Sequence, residues 1–217
     1  MTDEIMEKLF IERNHFRPFE VGQDNAPTGS RVGGAAPANL ERSPPVCPIC
    51  AGPVQYILTL ASDLLGEPVA RGKVVSLLAC TDFRCLQESS SLIEPSSLLF
   101  LVHDDVPRAA PGGSLKSELE GRRLVAGPLQ EGSPTCDDSC VGGKPEYIQP
   151  DSGRTEEEKA KAMGAGFLFQ WAETSCPNDM EIGTYPFGFG AVYVFAKLDP
   201  DTGLPQLEGL MGFWQNS

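Results

Sequence analysis

The sequence predicts an α+β fold that is β-rich, internally duplicated and supplied with few short helices. Three observations carry this prediction. Short runs of Val, Leu, Ile and aromatic residues recur between Gly- and Pro-bearing segments, the pattern of strands bounded by turns. One order of features occurs twice along the chain. Helical signals are confined to two stretches, near residues 2–13 and 155–163. The 217 residues allow one large domain or two small ones, and a hydrophobic fraction of 41% is enough for a packed core.

The elements follow in chain order. Residues 2–13 read as an amphipathic helix: Thr2 is placed to cap it, Asp3 and Glu4 suit its positive end, and Ile5, Leu9 and Phe10 share one face. Residues 22–45, rich in Gly, Pro and Ala, read as irregular chain. Val54 to Leu60, Lys73 to Cys80 and residues 97–103 are near-continuous apolar runs, suited to strands buried on both faces. Residues 106–139 carry Gly, Pro and charge with few large apolar groups, and read as a linker or surface excursion. Thr155 and Glu158 form a capping box, with Lys159 and Lys161 following and Gly164 as the stop. Residues 166–171 and 190–196 read as strands, and Phe213 and Trp214 as part of a closing one.

The repeat rests on Val32-Gly33-Gly34-Ala35-Ala36-Pro37, answered by Val141-Gly142-Gly143-Lys144-Pro145. Each is followed by an apolar strand, at 56–60 and at 167–171. Each then has a glycine leading a β-rich run, Gly72-Lys73-Val74-Val75 and Gly190-Ala191-Val192-Tyr193-Val194-Phe195. The expected organisation is a helix and lead-in over 1–30, a first β repeat over 31–105, the excursion over 106–139 and a second β repeat over 140–217. Gly33, Gly34, Gly142 and Gly143 are the turns expected to fix the two sheets. A loop habit shared by chance is the other explanation.

Seven cysteines bear on chemistry. Four are spaced C-x2-C-x29-C-x4-C, as Cys47, Cys50, Cys80 and Cys85. Two such pairs at the ends of neighbouring strands can meet as a tetrahedral thiolate site, so a structural zinc ion and a zinc knuckle in the first half are expected. Arg42 and Arg84 stand near enough in sequence to offset the thiolate charge. Free, buried thiols with a plain turn at Cys47 and Cys50 are the alternative. Cys136, Cys140 and Cys176 could form a three-sulfur group, but no fourth ligand is evident, and Asp137 and Asp138 would blunt thiol reactivity.

The charge excludes some partners. Seventeen basic against thirty acidic side chains leave −13, which argues against nucleic acid and against an anionic membrane surface. Residues 151–217 hold ten acidic and four basic groups, so Glu156, Glu157 and Glu158 are a candidate docking patch for a basic protein client. No run approaches the ~20 apolar residues of a membrane span. The start Met1-Thr2-Asp3-Glu4 carries no signal-peptide pattern, so a cytoplasmic setting with reduced thiols is expected.

No catalytic motif is evident. There is no H-E-x-x-H, no G-x-S-x-G and no dinucleotide fingerprint. For His103, before Asp104 at a strand end, a general-base role is conceivable, but a lone His there is more often a surface residue. Gly183 to Gly190, with Tyr185, Pro186, Phe187 and Phe189, could line a groove or form tight turns.

Several segments resemble known families. Val141-Gly142-Gly143-Lys144-Pro145-Glu146-Tyr147-Ile148-Gln149 resembles the GG-x-P…Q segment of bacterial YwqG-like proteins. Phe167-Leu168-Phe169-Gln170-Trp171, Phe187-Gly188-Phe189-Gly190-Ala191-Val192-Tyr193-Val194-Phe195 and Phe213-Trp214-Gln215 resemble their later strands. Val32-Gly33-Gly34 followed by Cys47-Pro48-Ile49-Cys50-Ala51-Gly52-Pro53 resembles the related eukaryotic programmed cell death protein 2 family. The chain departs from the pattern at Phe189, where Asn or Asp is usual, and lacks a second C-x-x-C. The resemblance implies one duplicated β-rich domain. The eukaryotic family is implicated in escorting a ribosomal protein, and some bacterial members look like immunity proteins against toxins. The expected function is a non-enzymatic, acidic, zinc-binding protein-interaction module. Immunity to a cognate toxin is the first alternative, and an enzyme acting near His103 the second.

Overall fold

A helical lead-in opens the chain. In the computed structural model, which describes residues 1–88, 92, 96–110, 113–115, 117, 119–177 and 190–216, α1 (Asp3–Met6) passes directly into a π-helical turn over Glu7–Ile11. Met6, Leu9 and Phe10 are buried, so the apolar face lies where the sequence puts it. Thr2 does not cap: its carbonyl accepts the Met6 N–H at 3.1 Å and its hydroxyl makes no cap bond. The wide turn closes with the Glu12 N–H donating to the Glu7 carbonyl, five residues back, at 2.9 Å.

The chain then lays down β1 (His15–Val21) and β2 (Arg31–Val32), a short α2 (Ala38–Glu41), and β3 (Val54–Leu60). Two single-turn helices, α3 (Ser62–Leu65) and α4 (Glu67–Ala70), lead to β4 (Lys73–Cys80), α5 (Phe83–Glu88) and β5 (Leu98–Asp104). Then come β6 (Arg122–Ala126), β7 (Gln130–Glu131), β8 (Cys140–Val141), α6 (Pro150–Ala162), β9 (Ala165–Ala172), β10 (Gly190–Leu198) and β11 (Pro205–Asn216). Among the described residues no helix is long and apolar enough to cross a membrane.

The strands form one antiparallel sheet in the order β11-β10-β9-β8-β1-β6-β2-β3-β4-β5, with β7 also on β1. The sheet curls until its end strands approach: a Cβ on Gly212 of β11 would stand 2.7 Å from Cζ of Phe100 on β5. Period-two alternation sorts the side chains. Val192, Val194 and Ala196 join a central cluster with Ile57, Leu77 and Trp171. Tyr193, Phe195 and Phe213 face outward onto Tyr147 and Ala160 and are covered by α6. Tyr56, Leu78 and Cys80 face a third cluster with Leu40 and Cys47. Both faces of β3, β4, β9 and β10 are therefore covered, which explains their unbroken apolar sequence.

The two Gly-Gly turns have matching geometry. Val32 registers with Leu58 and Val141 with Phe169. The Gly33 N–H donates to the Ile57 carbonyl at 2.7 Å, and the Gly142 N–H to the Leu168 carbonyl at 2.9 Å. Gly34 donates to Leu119 and Gly143 to Leu9. All four glycines have φ between 58° and 80°.

Three sequence expectations need correction. Residues 22–45 are not irregular throughout, since they hold β2 and α2. Residues 106–139 are more than an excursion: β6 inserts between β1 and β2 at the middle of the sheet. Its burial pattern is two inward side chains, Arg122 and Leu124, among exposed ones, so the apolar signal of a strand is weak there. Finally, α6 starts at Pro150, five residues before the expected capping box. Thr155 lies inside the helix, its hydroxyl donating to the Asp151 carbonyl at 3.0 Å. Proline preset for the first turn takes the start, and Gly164, at φ 73°, follows the last turn. Residues 183–189, including the aromatic candidates and Phe189, lie outside the described residues.

Candidate metal centre

Cys47 and Cys50 sit on the turn that leads into β3. The Cys47 N–H donates to the Gly52 carbonyl and the Ala51 N–H to the Cys47 carbonyl, both at 2.9 Å. Ala51 takes a left-handed φ of 56°, which curls the chain back under the sulfurs. Cys80 is the last residue of β4, paired across the hairpin with Val54, so the register brings it to the same end as the turn. Cys85 lies on α5, whose first turn is capped by the Asp82 carboxylate accepting the Arg84 N–H at 2.9 Å.

The four sulfurs lie within 4.8 Å of one another and none is in a disulfide. Cys47 and Cys85 are 3.6 Å apart, as are Cys50 and Cys80. A tetrahedral ion with metal–sulfur bonds of about 2.3 Å would hold its thiolates about 3.8 Å apart, so the donor set and spacing fit such a site. Cys47, Cys80 and Cys85 are buried and Cys50 is exposed. Burial pushes the Cys80 thiol up, and pushes Cys85 to about 11. At Cys47 burial acts upward too, but hydrogen bonds from the Cys50 and Ile49 N–H groups and from Cys85 outweigh it, and the thiol is lowered. A dication entering here displaces protons and links metal affinity to pH. Arg42 and Arg84 are exposed.

Among the described residues this is the one group of three or more metal-ligating side chains. Cys136, Cys140 and Cys176 do not come together. Cys140 is buried in β8 and raised by burial, and Cys176 is raised by burial to about 12.

His103 is engaged by its neighbours. Its Nε2 meets the Ser76 hydroxyl at 2.8 Å and its Nδ1 donates to the Asp104 carbonyl at 2.7 Å. Ser76 continues to Thr59 at 2.7 Å and Thr59 to the Tyr56 hydroxyl at 2.9 Å. Burial lowers the His103 pKa.

The proposed acidic patch is mostly spent within the molecule. Glu156 pairs with Lys159 at 2.7 Å and accepts the Leu92 N–H at 3.1 Å. Glu157 pairs with Lys161 at 2.7 Å and accepts the Tyr147 hydroxyl at 3.0 Å. Glu158 alone of the three is exposed.

Two surface features were not read from the sequence. A cleft of about 520 Å³, lined by Glu20, Asp137, Asp138, Pro18 and Pro128, opens beside β1. The sequence signal was the Asp137-Asp138 pair, considered only for its effect on flanking thiols. The second feature is apolar. Val46, Ile49 and Phe83 are 56%, 42% and 57% exposed, and each stands within two residues of a cluster cysteine. No protein-family model matches the chain, and no curated protein matches it significantly.

Proposed function

We propose that this protein is a non-enzymatic protein-binding module, in which a structural zinc ion on Cys47, Cys50, Cys80 and Cys85 clamps a surface that receives a basic protein client. The observation that carries this reading is the exposed trio Val46, Ile49 and Phe83 on the turn and the helix that carry Cys47, Cys50 and Cys85. Large apolar side chains exposed singly need no explanation, but three that each stand within two residues of a cysteine of one four-sulfur cluster support a contact surface. A four-sulfur ion has no open position, so its contribution is to hold the loops. The net charge of −13 and the acidic cleft at Glu20, Asp137 and Asp138 support a basic partner through steering. Reduced thiols fit a cytoplasmic setting. An internal duplication is part of the reading, supported by the matching registers and hydrogen bonds of the two Gly-Gly turns.

Two measurements test it. Metal analysis of purified protein should give about one zinc per chain, and Cys47→Ser should abolish it. Absence of zinc removes the clamp. A partner recovered at low salt with the native chain should be lost with Ile49→Ser/Phe83→Ser, while zinc content stays unchanged. Undiminished recovery with that variant overturns the docking surface. The partner's identity separates the escort form from the immunity form: a ribosomal polypeptide favours the first and a toxin the second.

A further inference from the structure

A second cavity, of about 350 Å³, lies on the other half of the molecule, between α6 and the turn that follows the lead-in. It is lined by Arg13, Lys144, Arg154 and Lys161, a concentration of four cations in a chain with only seventeen. Arg154, Glu157 and Lys161 fall at helical spacing and present one face of α6 to it.

One residue of unusual backbone conformation, Arg13, and two close-packed glycines set the side chains that line this cavity. Arg13 has a left-handed φ of 56°, a conformation long side chains avoid. Gly166 is the second residue of β9, and a Cβ there would fall on Nη2 of Arg13. Gly153 sits inside α6, where glycine weakens a helix, and a Cβ there would fall on the Tyr147 ring. The two glycines therefore make the spaces into which the Arg13 guanidinium and the Tyr147 ring are set. Arg13, a backbone outlier held by such packing, points to a functional constraint.

The charges leave a surplus. Glu157 is already satisfied by Lys161 at 2.7 Å and by the Tyr147 hydroxyl at 3.0 Å. Arg13 spends Nε on the Phe10 carbonyl at 3.2 Å. Lys144 and Arg154 are exposed, with no ion pair among the described residues. Arg13, Lys144 and Arg154 thus face one remaining carboxylate, Glu146. The surplus of two positive charges matches a phosphate dianion, and an arginine fork with point cations suits its tetrahedral oxygens. Pro145, Pro150 and the Tyr147 ring add an apolar wall. We propose that this cavity binds a small phosphate monoester, with Arg13, Lys144 and Arg154 on the phosphate and the apolar wall against its organic group. The site is independent of the cysteine cluster and of any protein client.

The test is calorimetric titration of the full chain at low ionic strength with phenyl phosphate, inorganic phosphate and benzoate. Phenyl phosphate should bind, and Lys144→Gln and Arg154→Gln should each weaken it roughly tenfold. Because both side chains are exposed, neither substitution should change the melting temperature. Gly166→Ala should abolish binding by displacing Arg13. Absence of binding at millimolar phenyl phosphate overturns the proposal, as does unchanged affinity in the Lys144→Gln/Arg154→Gln double variant. Equal affinity for benzoate removes the dianion argument, and equal affinity for inorganic phosphate removes the organic part of the ligand.

Discussion

At the scale of single residues, the titratable chemistry gathers at the four clustered thiols and along the hydrogen-bonded chain from His103 to Tyr56. Cys47, Cys50, Cys80 and Cys85 declare themselves because thiols are scarce and their pairing across a hairpin follows from strand length. In sequence His103 reads as a surface residue at a strand end, with a general-base role only conceivable. The structure instead places it on a buried chain of hydroxyls, Ser76, Thr59 and Tyr56, that no local pattern reveals. Its depressed pKa has a consequence for stability. Between the folded pKa and the ordinary value near 6.5, the unfolded chain binds the extra proton, so stability falls as pH drops through that window. Above about pH 6.5 the contribution is fully present. Urea titrations at pH 7.5 and 5.5 should therefore show a smaller loss of stability for His103→Gln than for the native chain. An identical pH dependence would place the sensitivity elsewhere.

At the scale of elements, the long apolar strands were read nearly to the residue, because burial on both faces leaves an uninterrupted signal. The start of α6 was missed. A capping box is a local signature, but the actual start at Pro150 is favoured by the seat of Tyr147 on Gly153, a contact between neighbouring elements. This makes Gly153→Ala informative. Propensity alone would stabilise the helix by about 1 kcal/mol. Overlap with the Tyr147 ring should reverse the sign, with a net loss of about 1–3 kcal/mol. In a Tyr147→Ala background the same substitution should become neutral or stabilising. Thermal denaturation of the four variants measures the coupling, and additive effects would contradict it.

At the scale of the whole molecule, the two halves share one sheet and one central core. Trp214 of β11 donates to the Leu86 carbonyl on α5 at 3.2 Å, tying the last strand to the helix that carries Cys85. Loss of a metal from the cysteine cluster should therefore be felt beyond its own loops. Chelation of the purified protein should lower the melting temperature by at least about 6 °C, equivalent to roughly 2–3 kcal/mol in a chain of this size. Hydrogen exchange should quicken first in the 47–52 turn and at 80–86, then along β11. Unaltered exchange after complete metal removal would mean that the cluster does not support the fold.

By itself the amino-acid sequence determined the strand content, the Gly-Gly turns, the cysteine cluster and the acidic balance. Each of these is written in residue type and short spacing: apolar runs need burial, left-handed turns need glycine, and four thiols need only a hairpin to meet. The tertiary structure alone decided that β6 enters the middle of the sheet, that Glu156 and Glu157 are neutralised within the fold, and that Arg13 meets residues 144–161. Those outcomes depend on which distant surfaces pack together, a property of the whole chain's burial and charge pairing that no local window contains.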